Sequence, residues 1–340
     1  MDAVTRSNPK ILSVGTYLPE EIVTSVSLFE EINSEQYNLP VTWMRDKMGI
    51  IERRMSPDDA KPSDLAIPAA RKALEKCVDL DVDLINLVIF CGIERDQPEP
   101  ATAHVIQNAL GLNANHVFDI SNACFGFMEA IEVAQYYMRG GATSHALIVT
   151  GEVPTKVLRA AVEQLKAGVD LKSARDLIGA LSVGDAGGAV VMGPSYGYEQ
   201  CGFRVFNTIT DSSHINKCIY KQKSNGEFVG RMQMGKIVSE LIQMHNGLIG
   251  NTLSKLGWDE FDWMLTHQIG EKPFQKFSQM QGVGVKKMIK TFHKLGNITS
   301  ASFPINYEKL EQSGKVSPGD KIGGCFTGSG LSVGQFGYVY

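Results

Sequence analysis

Residues 116–139 read HVFDISNACFGFMEAIEVAQYYMR, and the fold is decided inside that stretch. His116–Ser121 has the make-up of a short strand. From Cys124 to Arg139 the apolar residues Phe127, Ile131, Ala134 and Met138 recur at helical spacing, and Gly140–Gly141 ends the run. Cys124 therefore sits at a strand-to-helix junction. Upstream, Leu84–Gly92 (LINLVIFCG) is apolar on both faces, as a buried central strand must be, and Ala101–Leu110 has a helical pattern. Downstream, His145–Val153 (HALIVTGEV) is another two-sided strand, and Gly187–Gly193 returns as a strand. This alternation predicts an α/β architecture.

The mixed-charge stretch Pro154–Gly179 reads as an irregular insertion lying over the body. The chain has no linker rich in Pro, Ser and Gly, so its two halves are expected to be fused closely: 1–195 with the cysteine and the insertion near 154–180, and 196–340. The second half opens with a long helix, Met232–Leu256, and echoes the first: a strand at Asp262–His267, a helix from about Ser300 to Ser313, then Gly314 and a strand at Lys321–Thr327. The 173-residue spacing from the helix-ending Gly141 to Gly314 also carries Cys124 onto Asn297. A duplicated α/β unit would bring two helix N-termini together across a pseudo-twofold axis, which makes a natural site.

Composition narrows the function. The 340 residues are 43% hydrophobic and 21% charged with a net charge of −4, which fits a folded chain with a sizeable core and argues against nucleic acid as a partner. No apolar run approaches the roughly 20 residues of a membrane span, and the start MDAVTRSNPK lacks the apolar stretch of a secretion signal. The six cysteines, at 77, 91, 124, 201, 218 and 325, include no closely spaced pair, so zinc ribbons and CxxC redox sites are not expected and a cytoplasmic location is.

A thiol at a helix N-terminus faces partial positive charge, which favours the nucleophilic thiolate. Cys124 is thus a candidate for acyl transfer, the alternative being a small buried hydrophobe. His267, in LTHQIGEKPF, stands at a strand end, where ligand crevices open in α/β sheets, though lone histidines are often structural. Asn297, in HKLGNITSAS, is either a helix cap or a neutral donor to a developing oxyanion. Glu99, between Pro98 and Pro100, reads first as a favourable charge before a helix. The glycines of GGCFTGSGLSVGQFG (323–337) have no βαβ unit after them, so a dinucleotide site is rejected; they are expected to let backbone approach a bound group. Gly184, Gly187 and Gly188 read as a tight turn entering a strand. Lys272, Lys276, Lys286, Lys287, Lys290 and Lys294 form a basic patch, either a solvated face or a dock for phosphate or an acidic surface.

Taken together, Cys124, His267 and Asn297 resemble the Cys-His-Asn triad of thiolase-superfamily condensing enzymes, specifically the ketoacyl synthase III type. The resemblance spans nearly the whole chain: ILSVGTYLPEEIVT is similar to that family's opening strand, WMRDKMGIIERR to its WxxxxxGIxxR segment, ISNACFGF to its active-cysteine segment, VGDAGGAVV to GDxxGAxV, and THQ and GNITSAS to its His and Asn segments. The EPATA around Glu99, the TGE ending at Glu152 and the closing GSGL resemble the OleA type, which joins two acyl thioesters head to head. Two departures stand out: HQIG, with Gly270 where initiating synthases read HQAN, and the tail QFGYVY.

The resemblance implies a thiolase fold, two duplicated α/β halves in a five-layer αβαβα arrangement. It implies a ketosynthase joining two acyl or β-ketoacyl thioesters by Claisen condensation through an acyl-Cys124 intermediate, in fatty-acid-derived or polyketide metabolism. His267 and Asn297 hold the developing enolate oxygen, and Glu99 acts as base from a partner subunit, which requires a homodimer. Backbone groups at Cys124, Gly328 and Ser329 hold the first acyl oxygen, and Phe125, Lys272 and Lys276 contribute to substrate binding. No metal or redox cofactor is implied; the substrates bring a phosphopantetheine thiol on coenzyme A or acyl carrier protein. The alternatives are decarboxylative chain initiation, acyl transfer to an alcohol or amine, and a non-catalytic partner subunit.

Overall fold

The computed structural model describes residues 8–195, 201–224 and 228–340. The first half runs β1 (Pro9–Tyr17), β2 (Glu21–Thr24), α1 (Ser25–Glu31), β3 (Glu52–Met55), α2 (Pro62–Lys76), β4 (Ile85–Cys91), α3 (Thr102–Leu110), β5 (His116–Ile120), α4 (Gly126–Arg139), β6 (His145–Glu152), α5 (Thr155–Lys166), α6 (Leu171–Ile178) and β7 (Ala186–Pro194). The second runs β8 (Gly202–Thr210), β9 (Cys218–Gln222), β10 (Phe228–Met232), α7 (Met234–Leu256), β11 (Trp263–Thr266), α8 (Glu271–Met280), α9 (Phe292–Leu295), α10 (Ser302–Gln312), β12 (Lys321–Gly328) and β13 (Ser332–Val339).

Two mixed sheets carry the duplication. The first has strand order β1-β7-β6-β4-β5 and the second β11-β12-β13-β8. Read from β8, the second repeats the first strand for strand, and a single parallel bridge between Met264 and Met288 stands where β5 stands in the first. Between the sheets lies a layer made by α4 and α10. Phe127, Ile131 and Ala134 of α4 and Phe303, Tyr307 and Leu310 of α10 pack with Leu87, Ile89 and Ile148 of one sheet and Phe326, Phe336 and Tyr338 of the other. Outside the first sheet, Ala66, Ala69, Ala70 and Ala73 of α2 pack on Val88, Phe90 and Val149. Outside the second, α7 and α8 cover the remaining face, with Phe274 and Phe277 against Met264 and Cys325. The order is helix, sheet, helix, sheet, helix, a thiolase fold. Strand β4 is apolar on both sides because it serves both the inner and the outer layer.

Three expectations are corrected here. Pro154–Gly179 is regular: it forms α5 and α6, whose Val157, Leu158, Ala161 and Leu165 are buried against α1. Its mixed charge is the outer face of two amphipathic helices, which a search for continuous apolar runs overlooks. Gly187 and Gly188 lie inside β7 rather than in a turn. A Cβ on Gly187 would stand 2.0 Å from the Leu65 carbonyl oxygen of α2, and one on Gly188 would stand 2.3 Å from Pro304 of α10, so these glycines let helices lie close on both faces of one strand. Near the carboxyl end two of the glycines likewise admit side chains rather than a ligand, Gly324 facing Phe336 and Gly334 facing Phe125, whereas Gly328 borders a cavity. The expected division at 195/196 borders residues 196–200, which are outside the described residues.

Candidate active site

Cys124 lies in a single 3-10 turn, Ala123–Phe125, between β5 and α4. Ala123 has φ 46°, a left-handed conformation that costs a non-glycine residue about 1 kcal/mol or more. Thr299, beyond Asn297, has φ 49°, a harsher case because its side chain is β-branched. Backbone strain therefore stands on the two loops that carry the nucleophile candidate and its partner. The loops are also tied together, because Ser300 Oγ donates to the Ala123 carbonyl at 3.0 Å.

Two adjoining cavities open at this point. The smaller, about 40 Å³, is lined by Cys124, His267 and Asn297, together with Cys218, Gly328 and Ser329. The larger, about 280 Å³, is lined by Cys124, Asn297, Thr299, Cys218, Tyr220 and Ser329, with apolar walls from Ile93, Ile219 and Met232. The three polar residues singled out in the sequence thus face one space, although they come from separate stretches of the chain.

Each is fixed by its neighbours. His267 follows β11; its N–H donates to the Cys325 carbonyl at 3.1 Å and its Nδ1 lies 3.1 Å from Ser302 Oγ. Burial holds the imidazole down to about 4, so it is neutral at pH 7. Asn297 is stitched to the first half, its N–H donating to the Ser182 carbonyl at 2.8 Å and its carbonyl accepting from Gly184 N–H at 3.1 Å. Its side-chain Oδ1 accepts from Thr299 N–H at 3.0 Å, which leaves the amide NH₂ as the group available to the cavity. Asn297 is thus a turn-former, and that role leaves its amide donor free.

The electrostatics of Cys124 differ from expectation. Its thiol is held well above the ordinary range, first by burial and then by the thiol of Cys218 and the carboxyl of Glu152; a backbone hydrogen bond at its own turn pulls the other way and is outweighed. The 3-10 turn stands between the sulfur and the first turn of α4, and desolvation dominates what remains of the helix-end field. The resting group is a thiol.

Other expected residues are placed as follows. Gly328 ends β12 and packs so closely on the cysteine turn that a Cβ would stand 2.8 Å from Phe125. Ser329 borders both cavities. Phe125 does not line either; its ring is buried beneath Gly334, and the expectation that it binds substrate is corrected, because a side chain filling the interior in this way has no face left for a ligand. Lys272 and Lys276 are exposed on α8, outside both cavities. Within the same patch Lys290 is paired with Glu271. Glu99 is exposed on the loop between β4 and α3 and lines neither cavity of its own chain. At Gly270, with φ 143°, a Cβ would meet the Met48 carbonyl oxygen at 3.0 Å, so the HQIG departure follows from close packing on the 44–48 segment.

The sequence reading passed over Glu152 as a working group. It is 1% exposed at the end of β6 and accepts from Ile93 N–H at 3.2 Å and Ser300 N–H at 3.3 Å. Burial outweighs those bonds and raises its pKa to about 7. A carboxyl closing an otherwise apolar strand was the available signal. Cys218 and Tyr220 left no such signal, because they reach the site only through the fold of the β9–β10 hairpin.

Comparison with known proteins agrees with this geometry. Residues 118–212 match the family described as 3-oxoacyl-[acyl-carrier-protein] synthase III, and residues 252–337 match its C-terminal part. The beta-ketoacyl-[acyl-carrier-protein] synthase III of Bacillus pumilus is 29% identical over 96% of this chain and 97% of its own, and that of Alkalilimnicola ehrlichii 28% over 96% and 99%. Among solved structures, cerulenin-bound OleA of Xanthomonas campestris superposes with a TM-score of 0.90 at 26% identity, covering 98% of this chain and 97% of that one. A substituted form of the same OleA with bound lauric acid and lauroyl-CoA gives 0.90 and 26%, covering 98% and 100%. With both halves of the family pattern, the duplicated fold and the cysteine, histidine and asparagine around one cavity, the chain belongs to the ketoacyl synthase III family of thiolase-superfamily condensing enzymes, acyl-transferring proteins among which it is close to OleA.

Proposed function

We propose that the protein joins two acyl or β-ketoacyl thioesters by Claisen condensation, with Cys124 carrying the first acyl group. The observation that carries this reading is the shared cavity of Cys124, His267 and Asn297. Because the thiol is protonated at rest, attack on the first thioester needs a proton acceptor, and the neutral imidazole of His267 supplies one. The proton then leaves with the departing carrier thiol. The Ser302 hydroxyl can accept from Nδ1–H or donate to Nδ1, so it fits either imidazole tautomer. With Nε2 as acceptor the imidazole serves acylation; with Nε2–H as donor it joins the Asn297 amide in holding the enolate oxygen of the second thioester. Backbone groups at Cys124, Gly328 and Ser329 hold the first carbonyl oxygen.

Removal of the α-proton falls to Glu99 of a second subunit. Two features support a homodimer. β5 is a sheet edge with all five residues only half-buried, and it runs directly into the cysteine turn. A second copy on that edge would bring its own β4–α3 loop, with Glu99, beside this site. The substrates bring phosphopantetheine on coenzyme A or acyl carrier protein, and exposed Lys272 and Lys276 suit its phosphates or an acidic carrier. The same reading divides the chain at 195/196, cysteine in one half, histidine and asparagine in the other, and keeps it in the cytoplasm; among the described residues no helix is long and apolar enough to cross a membrane.

The test is incubation with a panel of acyl thioesters, scoring intact-protein mass and released product together. Wild type gains an acyl adduct and releases a product with a new carbon–carbon bond. Cys124→Ala gains no adduct, and Glu99→Ala keeps the adduct but makes no product. Wild-type condensation by Glu99→Ala refutes the base assignment and favours decarboxylative initiation; an ester or amide product refutes condensation.

A further inference from the structure

The larger cavity contains polar groups that the mechanism above leaves unused. Tyr220, on β9, lines it, and the phenol hydroxyl is buried without a hydrogen-bond partner. Thr299 lines the same cavity, but its hydroxyl already faces the Glu152 carboxyl, so the phenol is the group left over. Buried hydroxyls are nearly always paired, because water is lost on burial and nothing replaces it. An unpaired phenol on the wall of the cavity beside the reactive sulfur points to a bound group that pairs it.

The character of the phenol narrows what that group is. Burial first, then the thiols of Cys218 and Cys124 and the carboxyls of Glu152 and Glu94, all oppose its ionisation. Tyr220 therefore keeps its proton and is a donor seeking an acceptor oxygen. The same neighbours put the phenol near the reactive sulfur, so that oxygen belongs near the thioester end of the chain. A plain alkyl chain would satisfy the apolar walls of Ile93, Ile219 and Met232 but leave the phenol orphaned.

We propose that the acyl group held in this cavity carries a keto or hydroxyl oxygen close to its thioester, and that Tyr220 donates to that oxygen and selects for it. This inference rests on the acyl-Cys124 reading and adds the substrate class to it. The rival role, donation to the thioester carbonyl itself, would serve plain and oxygenated chains alike, and the test separates the two.

The experiment uses the full-length protein with octanoyl, 3-hydroxyoctanoyl and 3-oxooctanoyl coenzyme A, following acyl-Cys124 formation by intact-protein mass and comparing kcat/KM. Wild type is expected to prefer an oxygenated chain to octanoyl at least tenfold, and Tyr220→Phe to reduce that ratio ten- to hundredfold. Tyr220→Phe removes one hydroxyl and keeps the ring, and a Tm no lower than wild type shows that the fold is intact. A wild-type preference for octanoyl, or a ratio unchanged by Tyr220→Phe, overturns the proposal. Equal losses on all three thioesters also overturn it, in favour of the carbonyl role. Absence of any adduct with all three refutes the acyl-Cys124 reading itself, whereas adducts without discrimination refute only the substrate class.

Discussion

Replacing Glu152 with Gln should make the protein more stable at neutral pH and less stable in acid. The carboxyl is 1% exposed, and burial raises its pKa from the ordinary 4.5 to about 7. Below pH 4.5 it is protonated both folded and unfolded, and the shift has no effect. Between 4.5 and about 7 the unfolded chain ionises while the folded protein keeps its proton, so stability is lost as pH rises, at about 1.4 kcal/mol per unit. Above pH 7 the deficit is constant at about 3 kcal/mol. Gln carries no charge and lacks this dependence. Its NH₂ cannot accept from an N–H group, so one of the bonds from Ile93 and Ser300 is lost at every pH, a cost of about 1 kcal/mol. The variant should therefore be about 1 kcal/mol less stable than wild type at pH 4.5 and about 2 kcal/mol more stable at pH 8. Urea unfolding of both proteins across that range measures it, and titrations elsewhere in the molecule cancel in the difference. A difference that stays flat with pH refutes the account of Glu152.

Other consequences are equally measurable. Alkylation of Cys124 by iodoacetamide, followed at the peptide level, should keep accelerating past pH 9, because burial holds the thiol above its ordinary value of 9.0; a plateau below pH 8.5 contradicts this. His245, held neutral to about 3 by burial, makes stability present above pH 6.5 fall away in acid, by about 2–3 kcal/mol between pH 6.5 and 4.5, and His245→Gln should remove that share of the acid loss. Gly151→Ala drives a Cβ to within 1.8 Å of the Pro62 carbonyl oxygen, and a Tm loss of under about 5 °C would show that α2 does not press on β6 as described. Gly247→Ala, on α7 with nothing within 4 Å, should instead gain about 0.5–1 kcal/mol in thermal unfolding.

The clearest signals in the sequence were those written as short-range pattern. The two-sided strands β4, β6 and β7 were legible because a strand buried in the middle of five layers has no polar face to interrupt it. The repeat was legible because Gly141 and Gly314 close equivalent helices. The 173-residue offset that carried Cys124 onto Asn297 holds at the helix ends only: the turns before α4 and α10 begin at Ala123 and Thr299, so Ser300 stands in the place of Cys124 and Asn297 lies three residues earlier. Helices α5 and α6 were missed because amphipathic surface helices spread their apolar residues among charges, and Gly187–Gly188 was misread because the need for glycine came from helices remote in sequence.

Sequence by itself determined the α/β class and suggested the duplication, through residue type and local spacing, and the flanks of the cysteine, histidine and asparagine singled these three out by their resemblance to a known family. Tertiary structure alone decided their chemistry. Whether Cys124 rests as thiol or thiolate depends on the competition between desolvation and a nearby helix end; desolvation wins, and the Cys218 thiol on β9 and the Glu152 carboxyl on β6 add to it. Burial and field at a point are sums over neighbours from the whole chain, and a linear pattern does not carry them.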